Sequence, residues 1–504
     1  MSIICAGDMS MNNAVILGPI FFPLAGVIIC LLLARSNRIQ RYAGLAAMIA
    51  AWLCSLAVLT AVFDQGVQVY RVGGYSPPYG IALAVDLLNG LFGVMAATVM
   101  TAGALYVVGS KDKCANYPAF MPLMLGMATG LAGAFYTGDI FTLFVFVEVM
   151  VMSSVGLTAI SDNKLGLEAA IKYLLISAMG SLFLLLGIGA IYASFGTLNL
   201  ADIARALETG ERPLLAQVAA LMLMCAFLLK SAVFPFHFWQ PDFHTTSPTA
   251  VSAMLSSVVV KVGVYGLIRL TTLLFIPESQ LLRLALLALG IIGVFFGGLG
   301  AFRTHDAKRM LAYSTFGQIG FILVGIGWGT PLALAAAIIY AMNHAFIKSA
   351  LLMLTGAVAS RLTSKSAALA QLQGVGVEMK GVSLLYFIGG LALSGVPPLN
   401  GFISKLALVQ GGIGAESWIA LGLAVGGGIL TLMYMMRTWQ YVFQAEPEAE
   451  VNFRPYGDSL IAPAILIGLC VVLGVYATPL VSAAQMAAAQ LGDPNVYITA
   501  VLGG

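Results

Sequence analysis

Within the segment KSAVFPFHFWQPDFHTTSPTAVSAMLSSVVVKVGVYGLIR, residues 230–269, two lysines, Lys230 and Lys261, stand in otherwise apolar runs, with His237 and His244 between them. The anomaly recurs along the chain, where Glu148, His344, Lys348 and Lys405 also lie well inside apolar runs. A lysine at the centre of a membrane helix costs about 2.5–3.5 kcal/mol on insertion scales, so several together demand a partner, a water-filled cavity or loss of the proton. One carboxylate, Glu148, is too few to pair with four lysines. Desolvation and like-charge repulsion both disfavour the ammonium form, so a lysine placed this way can take up and release a proton. The chemistry open to these residue types is proton relay. His344 and Lys348 are four residues apart, which puts them on one helix face and suits either a relay or two groups sharing a water.

The elements that hold these groups follow from composition. The chain has 504 residues, of which 60% are hydrophobic and 9% charged, with a mean hydropathy of +0.97. That is the composition of a polytopic membrane protein, and no stretch is polar enough to fold as a soluble domain, so residues 1–504 read as a single membrane domain. The N-terminus MSIICAGDMSMNN has no basic region ahead of its first apolar run, so a cleaved signal peptide is not expected. Six cysteines without a CxxC pair indicate neither a disulfide framework nor a thiolate metal site. There is no phosphate-binding loop, haem ligand set or catalytic triad, and no cofactor, metal or nucleic acid is expected. The net charge of +3 says little about partners.

Dividing the apolar runs at charged or Gly/Pro-rich breaks predicts fourteen spans, near 13–34, 42–63, 81–108, 118–136, 140–160, 168–195, 214–235, 248–275, 281–302, 308–327, 331–359, 381–410, 417–443 and 459–485. Lys and Arg collect on one side of these spans (among them Arg35, Arg38, Arg41, Lys111, Lys113, Lys164, Lys308, Arg361 and Lys380). The other side has only Arg71, Arg205, Arg212 and Arg283. The positive-inside rule makes the first side cytoplasmic and turns both termini outward. The acidic EPEAE at 446–450 is then a solvated loop.

Two spans are interrupted. The seventh loses regular helix around Pro235 and Pro241, the twelfth at Pro397 and Pro398 in SGVPPLNG, and each break has a lysine close by. Broken helices five spans apart are the pattern of a transporter built from inverted repeats, here 118–275 and 281–443. The fold class expected is therefore an all-α polytopic membrane protein with about 14 transmembrane helices, two inverted five-helix repeats and two broken helices.

Each group also has a simpler account. Glu148 with Lys230 could be an ion pair that only fixes helix packing. His237 and His244 could be satisfied structural histidines rather than relay members. Asp86 and Asp139 read as helix caps. Tyr313, Ser314 and Gln318, in AYSTFGQIG, could hydrogen-bond across helices or order water. The glycines of GIIGVFFGGLG favour close helix packing.

Over approximately residues 80–440 the sequence resembles the antiporter-like proton-translocating subunits shared by complex I, membrane-bound hydrogenases and multi-subunit Mrp-type Na+/H+ antiporters. The resemblance is carried by the 230–269 segment, GDIFTLFVFVEVM around Glu148, HDAKRMLAYSTFGQIG, NHAFIKSALLMLTGAV and SGVPPLNGFISKLAL. It implies fourteen core helices, inverted repeats and a hydrated polar axis at the membrane midplane. In that axis Glu148 modulates Lys230, Lys261 with His344 and Lys348 forms the central relay, and Lys405 is the terminal lysine near an exit. The run KVGVYGLIR, Lys405 in place of a glutamate, and the lack of a long lateral C-terminal helix look most like the D-type member of the Mrp antiporters. Phe243, Thr245, Thr246 and Gln240 depart from the residues common in the family at those positions. The resemblance implies partners in other membrane subunits, including a larger homologue, and Na+ carried with a partner's help, in the cell inner (plasma) membrane. A proton-pumping subunit of a redox complex is the alternative.

Overall fold

The computed structural model describes residues 15–209, 213–276, 278–446 and 452–503. Most of Glu446–Glu450, Arg212 and the first fourteen residues therefore lie outside the described residues. The helices, in chain order, are α1 (Val15–Leu32), α2 (Asn37–Gln65), α3 (Leu87–Gly109), α4 (Phe120–Tyr136), α5 (Ile140–Ala159), α6 (Lys164–Phe195), α7 (Leu200–Thr209), α8 (Leu214–Lys230), α9 (Trp239–Thr246) and α10 (Thr249–Leu274). They continue with α11 (Ser279–Arg303), α12 (Ala307–Trp328), α13 (Pro331–Arg361), α14 (Lys380–Ser394), α15 (Asn400–Gly414), α16 (Trp418–Gln444), α17 (Ile461–Val475), α18 (Thr478–Leu491) and α19 (Pro494–Leu502). Among the described residues ten helices are long and apolar enough to cross a membrane.

Side-chain caps set several helix starts. Asp86 accepts the Asn89 N–H at α3, Asp139 the Thr142 N–H at α5, Asn163 the Gly166 N–H at α6, and Asp306 the Arg309 N–H at α12. Each satisfies one of the donors a helix leaves unpaired at its first turn. Asp86 and Asp139 are thus the caps the sequence suggests.

Burial sorts the bundle. The most apolar stretches of α10 and α13 are wholly buried within the protein and that of α12 is 89% buried, whereas those of α2, α5, α6, α11 and α16 are less than two-fifths buried. Lys261, His344 and Lys348 therefore sit on the most deeply buried helices, while Glu148 comes from a peripheral one. Glycine permits close backbone contact: a Cβ at Gly297 of α11 would lie 2.4 Å from the Gly317 nitrogen of α12.

Three predicted elements differ from what is found. Residues Ala82–Val85, expected to open the third span, form β2, which pairs antiparallel with β1 (Gln68–Arg71) in the register Gln68 with Val85. The alternation of larger apolar and small residues there suits a ribbon, and Asp86 then starts the helix. The single span expected at 459–485 is instead α17 and α18, bent by 77° across a short break. Pro241 does not break a helix. It is the third residue of α9, where the N–H that proline lacks would have no intrahelical acceptor.

The two interruptions themselves stand where the sequence puts them. α8 stops at Lys230 and α14 at Ser394. The chain leaves both helices in the same way: Ala232 (φ 52°) and Gly395 (φ 81°) adopt positive φ. Ala232 N–H donates to Leu229 O and Val233 N–H to Leu228 O, while Gly395 N–H donates to Ala392 O and Val396 N–H to Leu391 O. The local sequences, Ser-Ala-Val-Phe-Pro at 231–235 and Ser-Gly-Val-Pro-Pro at 394–398, match this parallel. A left-handed residue just past a helix C-terminus satisfies carbonyls that would otherwise be orphaned at membrane depth.

Candidate functional site

The site begins at the end of α8. Lys230 is 6% exposed, and its Nζ donates to Ser177 O (3.1 Å), Ser177 Oγ (3.2 Å) and Ser181 Oγ (2.9 Å) on α6. Glu148 Oε1, from α5, lies 3.5 Å from the same ammonium and accepts a hydrogen bond from Ser181. Ser181 therefore sits between carboxylate and lysine, and one hydroxyl connects the two charges. A cavity of about 10 Å³ beside Lys230 is bounded by Val259 of α10, two residues before Lys261. That volume is at the lower limit for one water.

Lys261 is fully buried on α10, where its Nζ lies 2.6 Å from His344 Nδ1 on α13 and donates to Ser256 O at 3.4 Å. The Ser256 carbonyl falls in a widened turn at Leu255–Val259, where π-type bonding disturbs the regular ladder. His344 thus bonds to Lys261 and not to Lys348, its helical neighbour. Lys348 is also fully buried and donates to Leu311 O (3.0 Å) and Ser314 Oγ (2.7 Å) on α12.

From Lys348 the polar contacts continue through Ser314 and Gln318, which the sequence offers as hydrogen-bonding residues and, for Gln318, a possible pathway member, to Tyr340, Thr431 and Tyr434, which it does not single out. Ser314 Oγ is 2.7 Å from Tyr434 OH on α16. Gln318 donates to Tyr434 OH (3.4 Å) and to Thr431 Oγ1 (3.3 Å), and accepts from Tyr340 OH (2.6 Å). On the next turn of α16, Gly428 O accepts from Lys405 Nζ at 3.4 Å, and Ser394 O, the last carbonyl before the second break, accepts at 2.6 Å. α16 therefore contacts both sides, the Lys348 cluster through Tyr434 and Thr431 and Lys405 through the Gly428 carbonyl. Tyr434 and Thr431 escape sequence reasoning because a hydroxyl in an apolar helix carries no signal until its partner across the interface is known.

The two doubtful histidines separate. His244 is completely buried, with Nδ1 2.7 Å from Ser252 Oγ and no partner for Nε2. It adjoins Thr245 and Thr246, which line a polar cavity of about 260 Å³ with Lys111, Asp112, Lys308 and Asp458 on the Lys/Arg-rich side. His237 is half-buried among Phe234, Phe296 and Phe316, and its Nδ1 has no partner. Nothing polar joins it to the lysines among the described residues. Eight buried polar atoms with no hydrogen-bond partner fall between Ser231 and Ser257, namely Ser231 Oγ, His237 Nδ1, Trp239 Nε1, Gln240 Nε2 and Oε1, His244 Nε2, Ser247 Oγ and Ser257 Oγ. Such groups are costly when dry, so their concentration marks this break as a place for water.

A buried ion pair escapes the sequence pattern. Arg269 Nη2 is 2.6 Å from Asp86 Oδ2, hydrogen-bonds to Asn89, and lies 5.1 Å from the Tyr497 ring centroid. Asp86 both caps α3 and neutralises this guanidinium, a role that sequence distance conceals. No cluster of three or more His, Cys, Asp or Glu side chains with metal-binding geometry occurs among the described residues.

Residues 137–431 match the family described as "NADH:quinone oxidoreductase/Mrp antiporter, TM". A protein of Alkalihalophilus pseudofirmus, named as the D-type subunit of a Na(+)/H(+) antiporter, is 33% identical over 98% of this chain and 100% of its own length. A Bacillus subtilis protein of the same name is 30% identical over the same shares. Among solved structures, a chain of the Mrp complex from Dietzia sp. DQ12-45-1b superposes with a TM-score of 0.90 at 27% identity, covering 98% of this chain and all of that one. A chain of a membrane-bound sulfane sulfur reductase, an archaeal respiratory membrane complex, gives 0.89 at 28% over 97% of this chain and all of that one.

Proposed function

The chain belongs to the NADH:quinone oxidoreductase/Mrp antiporter transmembrane family, and from that premise we propose that it is the proton-translocating D-type subunit of a multi-subunit Na+/H+ antiporter. The observation that carries the reading is the file of buried basic groups, Lys230, Lys261 with His344, Lys348 and Lys405. Serine, threonine and tyrosine hydroxyls or backbone carbonyls interleave them, and the file is biased at one end by Glu148. Groups that are neutral when deprotonated and can both donate and accept suit passage of a proton rather than a metal cation, which would need oxygen ligands.

Protons enter at the Lys/Arg-rich face through the polar cavity and His244, cross Ser252 and the Ser256 turn to Lys261, and leave past Lys405. His237, among its aromatic rings, stands beside this route. Gln318 orders the hydroxyls between Lys348 and Lys405. Moving one charge across 100 mV is worth about 2.3 kcal/mol, a scale that a change in the Glu148–Lys230 interaction through Ser181 can supply.

The finer architecture is part of the same proposal. Fourteen core helices are counted by taking α4, the α8–α9 and α14–α15 broken spans and the α17–α18 bent pair as membrane spans. The matching exits from α8 and α14 support inverted repeats at 118–275 and 281–443. The Lys/Arg-rich side is cytoplasmic, both termini face outward, and the membrane is the cell inner (plasma) membrane. Other membrane subunits surround the chain, among them a larger homologue, and Na+ passes with a partner's help.

Na+-dependent proton flux in vesicles carrying the whole complex tests the reading. Lys230→Ala and Glu148→Ala each lower flux about tenfold, the effect of roughly 1.4 kcal/mol on one transfer step. Near-normal antiport in both variants sinks it. The likeness to the respiratory complex chain favours a second reading, a pump module driven by electron transfer. Copurifying flavin or iron–sulfur proteins in place of antiporter subunits would select it.

A further inference from the structure

Beside Lys405 lies a cavity of about 370 Å³ between the second break, α15 and α16. Its walls are largely apolar, formed by residues such as Phe321, Leu408 and Ala424, and its lip is made of Leu406, Val425, Ile429 and Leu432, all more than a third exposed. Lys405 is the one charged side chain in the lining. Its ammonium has three protons to donate; Ser394 O and Gly428 O accept from it, and no carboxylate lies within ion-pair distance among the described residues. A cleft of this size, largely apolar with one charged anchor, is the ordinary form of a small-molecule site.

We propose that this cavity binds a long-chain alkyl carboxylate from the bilayer, with the carboxylate on Lys405 and the chain running out between Leu406 and Ile429. The inference rests on the proton-path reading only for its consequence, since occupancy itself needs no transport. The break lies between two 15-residue helices, α14 and α15, so Lys405 is far from either membrane surface. A phosphodiester headgroup would have to carry a permanent charge to that depth. A carboxylic acid crosses lipid as the neutral RCOOH and ion-pairs on arrival. If the amine is unprotonated, the acid's O–H bond breaks and an N–H bond forms, giving RCOO⁻ and the ammonium with no change in total charge. If it is already protonated, it first releases that proton along the path, and transfer from the acid then regenerates the ammonium beside RCOO⁻. Either way the bound anion holds Lys405 as ammonium and stops it from passing a proton on.

The test uses the assembled complex in membranes and a photoreactive diazirine fatty acid, with crosslinked peptides mapped by mass spectrometry. Expected are adducts on α15 and α16 peptides that excess palmitate removes and that hexadecanol or hexadecyltrimethylammonium does not. Ile429→Trp, which fills the lip from an exposed position on α16, lowers labelling about tenfold, the equivalent of displacing two methylenes from the cavity. It leaves antiport intact and relieves its inhibition by palmitate. No adducts on these helices, or equal labelling by a diazirine alcohol, overturns the proposal, as does competition by phosphatidylglycerol as strong as that by palmitate. Normal antiport in Lys230→Ala and Glu148→Ala together with palmitate-competed adducts on α15 and α16 sinks the transport reading and upholds this one, so the two failures are told apart.

Discussion

At the first break, Lys230 is gripped by Ser177 and Ser181 with Glu148 at 3.5 Å, and eight unpartnered polar atoms crowd the 27 residues from Ser231 to Ser257. At the second, Lys405 has two backbone carbonyls, a phenyl ring 5.8 Å away and an apolar void. The backbone leaves the two helices by the same hydrogen bonds, so the difference lies in the side chains packed around a shared scaffold. A polar, hydratable break beside a carboxylate suits loading and biasing a proton. A largely apolar break with no carboxylate beside its lysine suits holding a barrier until a proton is pushed across.

Both breaks converge on the centre, so the largest effect belongs there. Lys261→Ala removes the partner of His344 and should lower Na+-driven proton flux about 10²-fold or more, the usual scale for losing a positioned acid–base group. Lys261→Arg should not restore it, because a guanidinium does not release its proton. Recovery in the arginine variant would mean that the centre supplies fixed charge and not relay.

A smaller effect separates the two halves. Tyr434→Phe deletes the hydroxyl shared by Ser314 and Gln318, the junction between Lys348 and Lys405. One net hydrogen bond of about 1 kcal/mol corresponds to a roughly fivefold slower flux. Proton uptake measured at the first break should be unaltered, and a loss there as well would erase the distinction between the two regions.

The smallest effects test the shared scaffold. Gly395→Ala places a Cβ in the left-handed region and 2.5 Å from Lys405 Cδ, costing about 1–2 kcal/mol from the backbone alone. Ala232→Gly, at the matching position, relieves a similar strain but adds chain entropy, and should change stability by less than about 1 kcal/mol. Thermal unfolding of the detergent-purified chain reads both. Equal and large losses would show that the two exits are not the same device.

The ionisable residues inside apolar runs are legible from composition alone, because a charge in lipid is costly enough to stand out wherever it falls. The breaks are legible for a related reason: proline and glycine disrupt a helix locally, whatever surrounds them. Pro241 misleads because proline in a first helical turn costs nothing, and only the position of Trp239 in the fold reveals that a new turn begins there. The opening of the third predicted span misleads because a short apolar run reads the same as strand or helix until the Gln68–Arg71 partner is in place.

Local hydropathy and local backbone chemistry suffice to specify a many-spanning membrane protein with lysines and histidines inside its apolar runs and two interrupted helices. Helix packing settles who meets whom: that His344 bonds Lys261 and not Lys348, that Ser181 stands between Glu148 and Lys230, that Tyr434 meets Ser314, and that Asp86 neutralises Arg269. Those pairs lie 83, 49, 120 and 183 residues apart at their widest. Hydrogen bonds act over about 3 Å and depend on orientation, so they are fixed by helix packing, which no local pattern encodes.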